Sequence, residues 1–129
     1  MDEQWVLVVE DEAALQQIVQ VALEEAGFAV AVSRNGEVAV EQLERQDRAF
    51  VALVTDVQLS PKGMAGWDVA RRARELNGAI PVIYMTGAAA DDWSSNGVPN
   101  SVLISKPFAP AQIVTAVSQL LNTGSATGA

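Results

Sequence analysis

Four short polar segments of the sequence carry side chains that could do chemistry together. The acidic pair Glu10-Asp11 follows one apolar run, and Asp56 follows another. Thr86 comes after a third apolar run, and Lys106 ends a fourth. Carboxylates bind hard metal ions, while hydroxyl and ammonium groups donate hydrogen bonds to anions. These residue types therefore indicate carboxylate and metal chemistry.

Two missing residue types narrow that chemistry further. The 129 residues include no cysteine and no histidine. Thiolate nucleophiles, disulfides, histidine zinc sites and Ser-His-Asp triads are therefore excluded.

The net charge excludes a further class of function. Sixteen acidic against eight basic residues give a net charge of −8, which is the wrong sign for a surface that binds nucleic acid.

The elements that must position these side chains can be predicted from hydrophobic patterning. Short apolar runs alternate with amphipathic stretches, which predicts repeated strand-helix units. Continuous apolar runs are typical of parallel strands buried on both faces. Strands are predicted at 5–9, 28–32, 50–54, 81–85 and 102–104, with helices at 12–26, after Asn35-Gly36, after a loop holding Pro61, Gly63 and Gly66, and from Pro110 to Leu121.

Right-handed crossovers between these units predict an α/β, flavodoxin-like doubly wound parallel sheet in the order 2-1-3-4-5. Segment 87–101 lacks an apolar helical stripe, so the fourth helix should be reduced. Trp93, within that segment, is expected to be partly exposed and could mark a partner surface. We expect one domain over residues 1–121 and a flexible tail over 122–129.

The start of the given sequence is not expected to act as a targeting signal. Met1 to Gln4 is acidic and leads into only five apolar residues, which is neither a signal peptide nor a membrane span. We therefore expect a cytoplasmic protein with no membrane contact. Both a monomer and a dimer are compatible with the sequence, as are a single-domain protein and a fragment of a longer one.

The predicted strand order brings the carboxylates together. The first and third strands are neighbours, so Glu10, Asp11 and Asp56 should share one pocket at the carboxyl edge of the sheet. Three carboxylates cannot all stay ionised there without a cation. Lys106 supplies one positive charge, and a divalent ion is implied besides. An all-oxygen site with room for waters fits Mg²⁺.

The same groups predict the reaction. Mg²⁺, Lys106 and the Thr86 hydroxyl would cradle a phosphoryl group. The acidic run 10–12 after the first strand would repel the phosphates of a nucleotide or flavin, and no glycine-rich turn stands there. The sequence therefore predicts transfer of a phosphoryl group to a protein carboxylate, with Asp56 as the nucleophile.

These segments resemble the signature of one family, the receiver domains of two-component response regulators. The resemblance covers residues 5–121. Its parts are an acidic pair after the first strand, an aspartate after the third, a threonine or serine after the fourth, and Lys-Pro-Phe after the fifth. Here they are Glu10-Asp11, Asp56, Thr86 and Lys106-Pro107-Phe108.

The resemblance implies a role for the chain in signalling. A histidine kinase or histidine phosphotransfer protein would phosphorylate Asp56, and the change would alter binding to a downstream protein target. Asp11, Asp56 and the backbone carbonyl of Gln58 would bind Mg²⁺ directly, and Glu10 would help through water. The only chemistry would be phosphorylation and dephosphorylation of the chain itself, so we do not expect an enzyme.

The resemblance also implies the roles of the remaining site residues. Thr86 and Lys106 would contact the phosphoryl oxygens. The peptide bond between Lys106 and Pro107 is usually cis in this family, and we expect the same here.

Two features depart from the family pattern. The loop at 57–66 is predicted to be about two residues longer than the common pattern. Many members have an aromatic residue at the position of Leu103, and its ring turns inward on activation. A rotamer switch of an aromatic ring is therefore excluded at this position.

Two other functions are compatible with parts of the pattern. A pseudo-receiver would bind partners without being phosphorylated, although the complete acidic site argues against it. A metal-dependent phosphatase of a related α/β type would normally have a second acid two residues after its nucleophile. Gln58 stands at that position, which disfavours the phosphatase.

Overall fold

The computed structural model describes residues 3–59, 63–87 and 90–128. Within these ranges, five parallel strands form a single sheet in the order β2-β1-β3-β4-β5. The predicted doubly wound topology is therefore confirmed. The strands are β1 (Trp5–Val9), β2 (Ala29–Ser33), β3 (Phe50–Asp56), β4 (Val82–Thr86) and β5 (Ser101–Ser105).

Helices cover both faces of this sheet. One layer of the core joins the sheet to the second and third helices, and the other joins it to the first and last helices. The strands are apolar on both sides because both faces are covered. The helices are α1 (Ala13–Glu25), α2 (Gly36–Arg45), α3 (Gly66–Leu76), α4 (Ala90–Asn96) and α5 (Pro110–Gly128).

Local signals explain where several helices begin and end. Gly27, at φ +100°, follows α1 in a conformation that favours glycine. The Asn35 side chain accepts a hydrogen bond from the Val38 amide at 2.8 Å and caps α2. Gly66 was predicted to lie in the loop before α3, but it is the first residue of that helix. The predicted lengthening of that loop stays a prediction, because residues 60–62 lie outside the described ranges.

Within the described ranges helix α4 has seven residues, so the predicted reduction of the fourth helix is confirmed. Trp93 on α4 is 37% exposed, as expected, and its Nε1 donates a hydrogen bond to Ser101 Oγ at 3.0 Å. Its role at a partner surface stays a prediction.

Helix α5 begins at Pro110, as predicted, and continues to Gly128, past residue 121 where the sequence predicted its end. No proline follows Pro110 in the sequence, and each glycine costs a helix only about 1 kcal/mol relative to alanine. The domain boundary at residue 121 and the flexibility of the tail stay predictions. No helix in the described part of the chain is both long and apolar enough to cross a membrane.

Candidate functional site

The carboxyl edge of the sheet brings two acidic segments together. Asp56 is the last residue of β3, and Glu10 directly follows β1. These strands are neighbours, with Val9 in register with Thr55. The Glu10 amide donates to the Ser33 carbonyl at 3.0 Å and so continues the pairing of β1 with β2. The backbone at this edge therefore holds the two carboxylates side by side.

Three carboxylates converge at this point. One oxygen from each of Glu10, Asp11 and Asp56 lies within 4.8 Å of the other two. Glu10 is 1% exposed and Asp56 is 5% exposed, while Asp11 is open to solvent. Carboxylate oxygens at this separation form a donor set that suits a hard divalent cation such as Mg²⁺. The predicted convergence of the three side chains is confirmed.

Lys106 lies against this cluster. Its Nζ donates to Asp56 Oδ2 at 3.0 Å and to Glu10 Oε1 at 3.4 Å. The Lys106 amide donates to the Thr86 carbonyl at 2.7 Å, which holds the segment after β5 against the end of β4. The peptide bond from Lys106 to Pro107 is cis, as predicted. One ammonium thus bridges two of the three carboxylates.

The second oxygen of each buried carboxylate accepts a backbone amide. Asp56 Oδ1 accepts from the Gln58 amide at 3.3 Å, and Glu10 Oε2 accepts from the Glu12 amide at 3.1 Å. These bonds orient both side chains. Gln58 therefore lies next to the carboxylate cluster, and its own side chain is exposed. The role of its carbonyl as a metal ligand stays a prediction.

Thr86 is the last residue of β4 and is 2% exposed. Its neighbour Met85 is in register with Asp56 on β3. Thr86 itself is in register with Ser105, the residue before Lys106. The ends of β3, β4 and β5 thus place the threonine on the same edge as the carboxylates and the ammonium.

Burial and neighbouring charges shift two ionisation equilibria in the cluster. Burial raises the pKa of Glu10 to about 7; the Glu12 amide opposes this rise, Asp56 adds to it, and Lys106 opposes it. Burial works against the charge on Lys106, but its hydrogen bond to Asp56 and the charges of Asp56 and Glu10 outweigh that effect. The pKa of Lys106 is therefore raised.

Two residues that support the site were missed by sequence reasoning. Gln16 Nε2 donates to the Glu10 carbonyl at 3.1 Å and to the Ser33 carbonyl at 3.2 Å, so it joins α1 to the ends of β1 and β2. Gly66 donates its amide to the Val57 carbonyl at 2.8 Å, and a Cβ there would overlap the Asp56 carbonyl oxygen. A glycine at the start of a helix can indicate that another backbone segment approaches closely. Nothing in the sequence indicated that Gln16 supports the site.

The fold and the pocket together define a doubly wound α/β domain with a buried carboxylate cluster and a lysine at the carboxyl edge of its sheet. The model of the response regulator receiver domain family matches residues 6–118. The chain belongs to this family, and the resemblance drawn from its four motifs is confirmed.

Relatives and solved structures agree with this assignment. The chain is 31% identical over 118 residues to the response regulator receiver protein CpdR of Brucella abortus, covering 90% of this chain and 95% of CpdR. It is also 31% identical over 120 residues to the phosphate regulon regulator PhoB of Pseudomonas aeruginosa, of which it covers 51%. The chain spans about half the length of several such curated regulators.

Two solved structures are especially informative. A response regulator receiver protein from Sinorhizobium medicae has a TM-score of 0.91 and 41% identity, covering 95% of this chain and 98% of that one. The receiver domain of the sensor histidine kinase PA1611 from Pseudomonas aeruginosa has a TM-score of 0.78 and 25% identity, covering 94% and 99%. The latter has a magnesium ion coordinated in its active site cleft.

Proposed function

We propose that this chain is a phosphoacceptor module of a two-component phosphorelay, in which Asp56 accepts a phosphoryl group from a phosphohistidine. The observation that carries the proposal is the position of the Asp56 carboxylate, buried beside Glu10 and Asp11 and 3.0 Å from the Lys106 ammonium. The donor would be a histidine kinase or a histidine phosphotransfer protein, and the recipient of the signal a downstream protein, in the cytoplasm.

The transfer step uses the Asp56 carboxylate as the nucleophile. One of its oxygens forms a bond to phosphorus while the P–N bond of the phosphohistidine breaks. The imidazole leaves with the electron pair and takes up a proton. The product is an acyl phosphate on Asp56, and water later returns the carboxylate and inorganic phosphate. The chain therefore acts on itself and does not turn over a separate substrate.

Lys106 and Thr86 have positions that suit the phosphoryl oxygens. The Lys106 ammonium already donates a hydrogen bond to an oxygen of Asp56. The lysine is therefore in place to stabilise the negative charge that develops on the phosphoryl group during transfer. Thr86, on the end of the adjacent strand, offers a hydroxyl at the same edge. Contacts from both residues would favour the in-line geometry of phosphoryl transfer.

The donor set fits Mg²⁺ as the cofactor. Asp11, Asp56 and the Gln58 carbonyl would hold the ion, with Glu10 contributing through water. When bound, Mg²⁺ would neutralise the carboxylates and the phosphoryl oxygens. The exposure of Asp11 leaves the cluster accessible to an ion from solution.

Incubation with Mg²⁺ and acetyl phosphate, followed by intact-mass measurement, tests the proposal. The wild-type chain should gain the mass of one phosphoryl group, and Asp56→Asn should not. Asp47→Asn is the control because Asp47 is an exposed aspartate before the opposite end of β3; it should gain the group as the wild type does. No gain in the wild type would contradict the proposal and favour a module that binds partners without phosphorylation.

A further inference from the structure

Arginine side chains on α3 hold the segment that connects α4 to β5. We define this segment, residues 97–100, as the α4–β5 loop. Arg74 donates from Nε to the Ile80 carbonyl at 2.7 Å, from Nη1 to the Pro99 carbonyl, and from Nη2 to the Asn100 carbonyl at 3.3 Å. One guanidinium thus occupies two carbonyl acceptors of the loop and the carbonyl of Ile80, two residues before β4. Its planar donors allow all three bonds at once.

A second arginine, one helical turn earlier, binds the residue just before the same loop. Arg71 Nη2 donates to the Asn96 carbonyl at 3.2 Å and to the Asn96 side-chain oxygen at 3.3 Å. Asn96 is the last residue of α4. Arg71 therefore binds the residue just before the loop, and Arg74 binds the last two residues of the loop.

Tyr84 holds the middle of the loop from inside the protein. It lies on β4, is 0% exposed, and its hydroxyl accepts a hydrogen bond from the Val98 amide at 3.1 Å. Its ring lies edge-on to that of Trp67 on α3, with 4.6 Å between centroids. Alternation along a strand puts Tyr84 on the same face of the sheet as Thr86.

The other end of α3 packs against the backbone of Asp56, the proposed phosphoacceptor. Gly66 is the first residue of α3, and its amide donates to the Val57 carbonyl, one residue beyond Asp56. A side chain at Gly66 would overlap the Asp56 carbonyl oxygen. Helix α3 therefore packs against the backbone of Asp56 at one end and holds the α4–β5 loop at the other. A packed helix transmits a displacement of one end to the other because interiors compress little.

We infer that α3, through Arg74, and β4, through Tyr84, carry the phosphorylation state of Asp56 to the α4–β5 loop. The inference rests on the proposed function. It gives this chain a route to its surface that does not need a rotating ring on β5, where Leu103 is the residue in register with Tyr84. A change in the loop is the event that a partner protein would then detect.

Backbone amide NMR of the ¹⁵N-labelled chain, before and after phosphorylation with phosphoramidate and Mg²⁺, tests the inference. In the wild type, the Gly97, Val98 and Asn100 amides should shift on phosphorylation. In Arg74→Gln and in Tyr84→Phe, these shifts should fall by roughly half or more, while intact mass shows the same phosphorylation and the Lys106 amide still shifts.

Arg72→Gln is the matched control. Arg72 lies on the same helix, but it bonds Glu44 at 2.8 Å and Glu75 at 3.1 Å on the surface. Its loop response should equal that of the wild type. Two variants are used because either could disturb packing, and a melting curve for each identifies a variant that does not fold.

The other outcomes overturn either the inference alone or the proposed function together with the inference. If the wild type is phosphorylated and the loop amides do not shift, the inference is wrong and the proposed function stands. The inference is also wrong if the phosphorylated Arg74→Gln and Tyr84→Phe chains both show the full response. If the wild-type chain gains no phosphoryl group, the proposed function fails, and the inference fails with it.

Discussion

The Nζ of Lys106 lies 3.0 Å from Oδ2 of Asp56, although fifty residues separate them in the chain. The same ammonium reaches Glu10 Oε1 at 3.4 Å. One cation thus holds two buried carboxylates in the positions from which a metal ion and a phosphoryl group would be bound. Several predictions about charge at the site depend on this bridge.

Replacing Lys106 by glutamine should slow phosphorylation without preventing it. The variant keeps the Asp56 nucleophile but loses the cation that stabilises charge on the phosphoryl oxygens, so the rate should fall by about 10²- to 10³-fold. The rate of mass gain with acetyl phosphate measures this. Lys106→Arg keeps the charge and should retain more of the rate than the glutamine variant. Equal rates for wild type and Lys106→Gln would show that the lysine has no role in transfer.

Magnesium should stabilise the folded protein, because the carboxylate cluster exists only in the native state. At about 100 times its dissociation constant, the ion should add roughly 2.7 kcal/mol to the free energy of unfolding. Thermal melts with Mg²⁺ and with EDTA measure the effect. Asp11→Asn, at an exposed position, should fold normally and lose most of the stabilisation. A wild-type melting temperature indifferent to Mg²⁺ would exclude the metal site.

Glu10 should make stability depend on pH when no metal is present. Its pKa is raised by burial from 4.5 to about 7, so between these values the folded protein holds a proton that the unfolded chain has lost. The free energy of unfolding should therefore fall as the pH rises through this window, by at most about 1.4 kcal/mol per pH unit from this group.

Urea melts in EDTA across that window measure the pH dependence. Glu10→Gln carries no titrating group at this position, so its curve should fall less steeply than that of the wild type. Parallel curves for the two proteins would show that Glu10 is ionised alike in the folded and unfolded states.

Gln16 should position the acidic segment without touching the ion. Gln16→Ala removes two hydrogen bonds to the Glu10 and Ser33 carbonyls, and loss of such supporting bonds typically weakens a metal site by about 10- to 100-fold. Gln20→Ala is the control, because the Gln20 side chain bonds exposed Glu24 on the same helix and not the strand ends. Mg²⁺ titrations followed by melting temperature measure both. Equal Mg²⁺ affinities in the two variants would show that Gln16 does not position the metal site.

The strand runs and the carboxyl-edge residues could be predicted because both are local signals. Apolar runs such as 50–54 mark strands buried on two faces, and the strand order then brings Glu10 near Asp56. The buried state of Glu10 and the bridges made by Gln16 could not be predicted. Both depend on contacts between segments far apart in the chain, which hydrophobic periodicity does not encode.

The same reasoning explains what was missed around α3. In the sequence, Arg71 and Arg74 are two charged residues of an amphipathic helix, whose polar face usually lies toward solvent. Arg71 donates to the Asn96 carbonyl at the end of α4, 25 residues away, and Arg74 donates to two carbonyls of the α4–β5 loop, 25 and 26 residues away. The burial of Tyr84 agrees with its place in the apolar run 81–85, but its bond to Val98 depends on where the α4–β5 loop lies.

Borohydride trapping tests the central claim most directly, because it marks the carboxylate that carries the phosphoryl group. Borohydride reduces an acyl phosphate on aspartate to homoserine, and peptide sequencing by mass spectrometry then locates the mark. After incubation with Mg²⁺ and a phosphorylated histidine phosphotransfer domain, homoserine should appear at position 56 and at no other aspartate. Homoserine at position 11, or none at any position, would contradict the claim that Asp56 is the phosphoacceptor.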